Sequence, residues 1–141
     1  MDAMQITIAF WFVNWFAVLG ATVVTFLIGG LWYSPIVFGR LWIAENKFPT
    51  EGGRERNIGA IFVVAFVLQW LCASMLAAVL GPNSDLIYGI RVGMLVGVFF
   101  VGAAMGITYL FERKSWRLFA INAGYHAVAF TVMGAILGSW H

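Results

Sequence analysis

The sequence predicts an all-α integral membrane protein, a single domain over residues 1–141 in which four transmembrane helices form an antiparallel bundle. Hydrophobic residues make up 62% of the chain and charged residues only 10%, with a mean hydropathy of +0.92. A soluble domain usually carries about 25% charged residues. Four apolar runs also exceed the roughly 20 residues that a helix needs to cross a bilayer. Because these runs lack the alternation of barrel strands, and backbone in lipid must satisfy its own hydrogen bonds, we expect helices.

The four predicted helices cover residues 8–31, 58–80, 87–111 and 118–140. A loop of residues 32–57 separates the first two. Within it, Ser34 as N-cap and Pro35 at the first helical position predict a short helix that extends toward Phe48 and lies at the level of the lipid headgroups. The stretch from Phe48 to Arg56 is rich in Gly and charged residues and is predicted to be a solvated linker.

The basic residues predict an orientation. Seven of the eight Lys and Arg residues lie in two loops, with four in residues 32–57 and three in the link between the last two helices. Arg91 is the one basic residue on the other side. By the positive-inside rule both basic loops are cytoplasmic, so both termini are extracytoplasmic. We expect a multi-pass protein of the cell inner membrane.

Composition and spacing exclude several classes of function. The basic residues are too few and too scattered for a nucleic-acid surface. Cys72 is the sole cysteine, so an intramolecular disulfide or Cys-rich metal site is excluded. The four runs contain no Asp or Glu, and therefore lack the embedded carboxylate of proton-coupled small multidrug transporters. We expect no catalytic residue, metal or cofactor, since no catalytic or phosphate-binding motif occurs.

The predicted helices carry small residues on defined faces. In the third helix, Gly89, Gly93 and Gly97 recur every four residues, and Gly102 and Gly106 follow on a roughly opposite side. Small residues allow helices to approach closely in lipid. Two such faces predict that this helix packs against neighbours on both sides. Because polar stripes on the other helices must also be buried, we expect a homodimer or larger oligomer surrounded by membrane lipid.

The most polar layer is predicted in the cytoplasmic half of the bundle. At 1.5 Å per residue, Thr25 lies about 9 Å from that membrane face, and Asn122 and His126 lie about 6 and 12 Å from it. Asn122 and His126 share one helix face. The candidate binding residues in this layer are Thr25, Trp32, Tyr33, Thr108, Asn122, Tyr125 and His126.

Two interpretations of this layer stay open. Polar groups inside a membrane usually face the bundle interior and indicate function, which predicts a small polar pocket with His126 as hydrogen-bonder or proton carrier. Alternatively, the same groups only join helices, with His126 donating to Thr25 or to a carbonyl. The amides of Gln69 and Asn14 are expected to make interhelical contacts of this second kind.

Two local patterns carry a resemblance to a known family. The first is Gly29-Gly30-Leu31-Trp32-Tyr33-Ser34-Pro35, continuing to Phe38-Gly39-Arg40-Leu41-Trp42, and the second is Asn122-Ala123-Gly124-Tyr125-His126. With four helices over nearly the whole chain, they make the sequence similar to the bacterial membrane family catalogued as domain of unknown function 1761 (DUF1761). The resemblance implies the architecture and transfers no activity.

Three functions from different classes are therefore compatible with the sequence. A component that binds or transports a small solute predicts a polar pocket around Asn122 and His126. A structural or assembly protein predicts tightly packed polar layers without a cavity. An embedded redox subunit predicts a bound chromophore, although a haem held by His126 and His141 of one chain fails because about 22 Å of helix separates them. No motif identifies the chain as an enzyme.

Overall fold

The computed structural model describes residues 2–48 and 57–140, and all regular elements in this part of the chain are helices. Four of them are long and apolar enough to cross a membrane: Trp15–Trp32, Ile58–Leu80, Leu86–Phe111 and Trp116–Ser139. The predicted linker with Arg54 and Arg56, and also His141, lie outside the described residues. The helices are α1 (Ala3–Ala9, followed by a 3-10 turn Phe10–Phe12), α2 (Trp15–Trp32), α3 (Gly39–Asn46), α4 (Ile58–Leu80), α5 (Leu86–Phe111) and α6 (Trp116–Ser139).

The first predicted helix, residues 8–31, is wrong at its start. The helix is interrupted at Val13 and Asn14. The Asn14 side chain accepts hydrogen bonds from the backbone N–H groups of Phe16 and Ala17 at 3.1 and 3.2 Å. This N-cap satisfies donors that the helix itself leaves open. Asn14 is therefore the N-cap of α2 and does not make the interhelical contact that was expected of it. The 18 residues of α2 still reach about 27 Å.

The short helix of the long loop also begins later than predicted, at Gly39 instead of just after Ser34. The Ser34 hydroxyl donates to the Leu31 carbonyl at 2.6 Å, and the Ser34 carbonyl accepts from the Gly39 N–H at 2.8 Å. A Cβ atom at Gly39 would collide with the carbonyl oxygen of Tyr33. Ser34 therefore belongs to a tight turn that follows α2, and this turn requires glycine at position 39. Helix α3 can begin only after the turn.

Helix α6 lies at the centre of the bundle and packs against α2, α3, α4 and α5. Helices α2 and α4 also pack against each other, whereas α5 packs almost entirely on α6. The end of α2, all of α3, the start of α4 and the α5–α6 turn lie at one end of the molecule. Because it carries five of the described basic residues, we call it the basic end: Arg40, Lys47, Arg113, Lys114 and Arg117.

The half of the bundle away from the basic end is a closed apolar core. Small residues of α2 let α4 and α6 approach closely, and Trp15 stacks on Trp70 at 5.7 Å between ring centroids. Each member of this core is less than 9% exposed. The core consists of Ala17, Val18, Ala21, Ala73, Leu76, Leu80, Phe130, Met133 and Leu137.

The prediction that α5 packs on two sides through its glycines is wrong, since both glycine sets face α6. Cβ atoms at Gly89 and Gly93 would collide with carbonyl oxygens of α6, and one at Gly106 would lie 3.3 Å from the Phe119 ring. The reason is a π-helical segment, Val96–Gly102. Its wider turn advances each residue by less than the 100° of an α-helix, which rotates the second glycine set back toward α6.

The predicted homo-oligomer loses part of its basis, because the second glycine face is occupied within the chain. It stays a prediction.

Substituting Gly93 tests the close approach of α5 and α6. We expect Gly93→Ala to lower the free energy of unfolding by about 1–3 kcal/mol, because the new methyl group meets the Phe130 carbonyl and α5 has to move away. Gly30→Ala is the matched control, since a Cβ there has no neighbour within 4 Å. It should be neutral or slightly stabilising. Thermal unfolding in detergent, followed by tryptophan fluorescence, measures both, and equal effects would contradict this packing.

Candidate functional site

The two sequence patterns, residues 29–42 and 122–126, meet at the basic end of the bundle. The Trp32 indole N–H donates to the Ile121 carbonyl at 3.0 Å, and the Tyr33 hydroxyl donates to Asn122 Oδ1 at 2.8 Å. Gly124 lies beneath the Trp32 ring, where a Cβ would come within 3.3 Å of it. The end of α2 and the start of α6 therefore form one structural unit.

Asn122 joins three segments through its side-chain amide. Its oxygen accepts from Tyr33, and its Nδ2 donates to the Tyr109 hydroxyl of α5 at 2.7 Å. Burial raises the pKa of the Tyr33 hydroxyl, and the nearby Tyr125 and Tyr109 raise it further, so the Tyr33 proton stays available to Asn122. Both ends of the amide are thus occupied within the chain.

A second polar group connects α2, α4 and α6 deeper in the bundle. Gln69 Nε2 donates to Thr25 Oγ1 at 2.9 Å and makes a longer contact of 3.4 Å with the Tyr125 hydroxyl. The Tyr125 hydroxyl donates to the Thr25 carbonyl at 3.1 Å, and the Thr25 hydroxyl donates to the Ala21 carbonyl at 2.7 Å. Gln69 is an interhelical contact, as predicted. These bonds fix the Tyr125 ring.

Aromatic rings cover the unit on the side of α3. Trp32 packs on Phe38 at 4.8 Å between centroids, and Tyr33 packs on Trp42 at 5.5 Å and on Tyr125 at 5.6 Å. Such edge and tilted arrangements suit the charge distribution of aromatic rings. The turn after α2 therefore holds Tyr33 against α6 with little freedom.

His126 differs from its polar neighbours. It is half-buried and packs against the Tyr125 ring at 5.1 Å between centroids. Its side chain makes no hydrogen bond to any residue in the described part of the chain, although a neutral imidazole offers one donor and one acceptor. Its nitrogens are not fully buried, since every fully buried side-chain N or O atom of the described residues has a partner. The expected bond from His126 to Thr25 is absent there, because Gln69 occupies the Thr25 hydroxyl.

His126 faces a groove of about 390 Å³ between α2, α4 and α6. Tyr33, Gln69 and Tyr125 supply its other polar groups, and Phe26 and Phe62 are among its apolar walls. Part of the rim is on the outer surface of the bundle, since Phe62 and Leu68 are 57% and 56% exposed. The complete lining is Phe26, Gly29, Gly30, Tyr33, Ile61, Phe62, Ala65, Leu68, Gln69, Tyr125 and His126.

The structure thus brings together six of the seven residues singled out in the sequence. Three line the groove (Tyr33, Tyr125 and His126), and three others support it through hydrogen bonds or packing (Thr25, Trp32 and Asn122). Thr108 lies apart: it is exposed and its hydroxyl donates to the Ala104 carbonyl of its own helix at 3.3 Å.

Sequence reasoning missed the groove walls and the place of Gln69 in the groove. A signal for Gln69 existed, because Ala65, Gln69 and Ala73 share one face of α4. Small residues beside a lone amide indicate that this face meets another helix. The part of the chain described here contains no group of three His, Cys, Asp or Glu residues placed to hold a metal ion.

Comparison with known families gives one match. Residues 16–138 match the family described as protein of unknown function (DUF1761). The chain belongs to this family. The match covers all four long helices and both patterns that meet at the groove. No curated protein and no solved structure matches the chain.

Removing the Asn122 amide tests whether it holds the unit together. We expect Asn122→Ala to lower the free energy of unfolding by about 1–2 kcal/mol, because the hydroxyls of Tyr33 and Tyr109 both lose their partner. Thr108→Val, at an exposed threonine of the same depth, should change it by less than about 0.5 kcal/mol.

A double-mutant cycle with Tyr33→Phe separates this bond from general damage to the fold. We expect a coupling energy of at least about 0.5 kcal/mol between positions 33 and 122, since the two side chains share one hydrogen bond. Strict additivity of the two substitutions would contradict the network. Chemical unfolding in detergent supplies all four free energies.

Proposed function

We propose that this protein binds a neutral, membrane-soluble small molecule in the groove beside His126. One observation carries the proposal: among the four polar side chains that line the groove, His126 makes no hydrogen bond to the described residues, whereas Tyr33, Gln69 and Tyr125 each have at least one partner. A half-buried polar group without a partner is costly. A ligand that supplies a donor or an acceptor removes this cost.

The lining of the groove favours a neutral ligand with an apolar body. None of the lining residues is an acid, a lysine or an arginine. A charged ligand would lose hydration there without gaining an opposite charge. Phe26, Phe62 and Leu68 instead offer apolar surface, which matches a hydrocarbon chain or ring.

The route into the groove supports entry from the bilayer. The exposed rim residues Phe62 and Leu68 face the same side as the apolar surface of α4, so a ligand dissolved in the membrane reaches His126 without crossing water. On the far side, the closed core around Val18 and Met133 blocks the path through the described part of the bundle. Binding from one side is therefore favoured over a continuous channel.

One observation supports a purely structural role, but for Asn122 and not for His126. Asn122 uses both its oxygen and its nitrogen to join helices. We assign Asn122, Thr25 and Trp32 to support of the groove walls, and His126, with Tyr125 and Gln69 beside it, to the ligand.

We further propose that the basic end faces the cytoplasm and that both termini are extracytoplasmic, in the inner membrane. Support comes from five described basic residues at that end against Arg91 in the other half. A C-terminal alkaline phosphatase fusion should be active, and a C-terminal green fluorescent protein fusion exported by the same pathway should be dark. An inactive phosphatase fusion with a bright fluorescent one would reverse the orientation.

Chemical modification of His126 tests the groove. Because the chain contains two histidines, His141→Ala leaves His126 as the sole histidine for diethylpyrocarbonate, and peptide analysis separates it from modified lysine, cysteine and tyrosine. We expect rapid modification of the native protein in lipid nanodiscs, measured by peptide mass spectrometry. Ala65→Phe should slow it by filling the groove, whereas Val64→Phe, on the exposed surface of α4, should leave it unchanged.

Three probes with the same chain then test the class of ligand: decanol, decanoate and decyltrimethylammonium. Decanol should protect His126 from modification more than either charged probe, because only decanol offers a hydrogen bond without a buried charge. Protection should disappear in Ala65→Phe. Equal protection by all three probes, or none by decanol, would refute a groove selective for neutral molecules.

A further inference from the structure

We propose a second binding site, for an anionic phospholipid, at the basic end of α6. This site is separate from the groove beside His126 and goes beyond the proposed function. It lies around Trp116, the first residue of α6, whose indole is 74% exposed. A tryptophan at this position suits the headgroup region of a bilayer, where an apolar ring with one polar atom is favoured.

Two apolar grooves both include Trp116 in their lining. The first, of about 280 Å³, runs between α3 and α6 and is lined by Phe38, Leu41, Ala120 and Ile121, with Arg117 at its edge. The second, of about 230 Å³, runs between the tips of α5 and α6 and includes Lys114. Each groove therefore combines an apolar wall with one cation.

This pairing fits a phospholipid with two acyl chains and a negative headgroup. One chain can lie in each groove, while the phosphate lies between Arg117 and Lys114. Basic pockets between transmembrane helices bind anionic headgroups in this way. Arginine suits phosphate particularly well, because its N–H groups can donate two parallel hydrogen bonds.

The guanidinium of Arg117 is open to such a partner. It lies 5.7 Å from the centre of the Trp116 ring, and its side chain is 59% exposed. Its ion pair with Glu45 has an N···O distance of 3.7 Å, which is too long for a strong hydrogen bond. Glu45 thus holds Arg117 near the first groove without using up its donors.

The charge of the surroundings favours an anion over a zwitterionic lipid. The described side chains at this corner include Arg113 and Lys114 in the α5–α6 turn and Arg40 in α3, all exposed. The acids at this corner in the described residues are Glu45 and Glu112. A net positive field remains, and it attracts phosphatidylglycerol more strongly than phosphatidylcholine.

Native mass spectrometry of the full chain tests the site. The protein is released from mixed micelles that contain phosphatidylglycerol and phosphatidylcholine with identical acyl chains. We expect retention of phosphatidylglycerol in preference to phosphatidylcholine, and about fivefold weaker retention for each of Arg117→Gln and Lys114→Gln. Arg91→Gln, which removes an exposed cation in the other half of the molecule, should not change retention.

Two further measurements distinguish a lipid-binding groove from non-specific attraction between an anionic lipid and the basic residues. Ala120→Phe fills the first groove and keeps every charge, so it should also weaken retention, whereas Ala104→Phe on exposed α5 surface should not. Inorganic phosphate at matched ionic strength should not displace the lipid. Equal retention of both lipids, equal loss in Arg91→Gln, or displacement by phosphate would each overturn the proposal, provided that the variants unfold at the temperature of the native protein.

Discussion

The side-chain amide of Asn122 is the interaction on which the basic end of this protein depends. A polar group that is packed between helices is costly unless it is hydrogen-bonded. Asn122 solves this for three segments at once, because its oxygen accepts from Tyr33 and its nitrogen donates to Tyr109. Tyr33 in turn packs against the rings of Trp42 and Tyr125. These contacts fix the position of Tyr33, which forms one wall of the groove.

The two halves of the bundle illustrate different uses of the same apolar composition. Away from the basic end, small residues such as Ala21 and Ala73 bring α2, α4 and α6 into direct contact and leave a closed core. Toward the basic end, the Gln69–Thr25 bond still joins α2 and α4, but larger rings line the space beside it, and this space is the groove. His126 lies in this second half, where a ligand can reach it.

Much of the architecture could be predicted because lipid leaves a chain few choices. Apolar length alone predicted the four long helices, and depth along them placed six of the seven candidate residues in one layer, where the structure has them close together. The start of α2 could not be predicted in this way, since Asn14 lies in an apolar run and only its capping bonds reveal the break. The choice of partners for α5 also failed, because a π-helical segment cannot be recognised from a period of 3.6 residues.

The π-helical segment also explains why Thr108 lies apart from the other candidate residues. Eleven residues at 100° each would place Thr108 within about 20° of Gly97, on the face that meets α6. The π-helical segment between them changes that rotation, and Thr108 is exposed instead. The walls of the groove and the place of Gln69 in it could not be predicted for a related reason. They depend on which helices are neighbours, and hydropathy carries no information about that.

Nitrogen NMR of the imidazole groups tests the account most directly, because the chain contains two histidines and His141→Ala assigns the signals. In nanodiscs without ligand, the account predicts a neutral His126 ring with no strong hydrogen bond. Addition of decanol should then shift its nitrogen signals in a saturable manner, and Ala65→Phe should abolish this change. A His126 ring that is already hydrogen-bonded within the chain, or signals that do not respond to decanol, would contradict the assignment of His126 to a ligand.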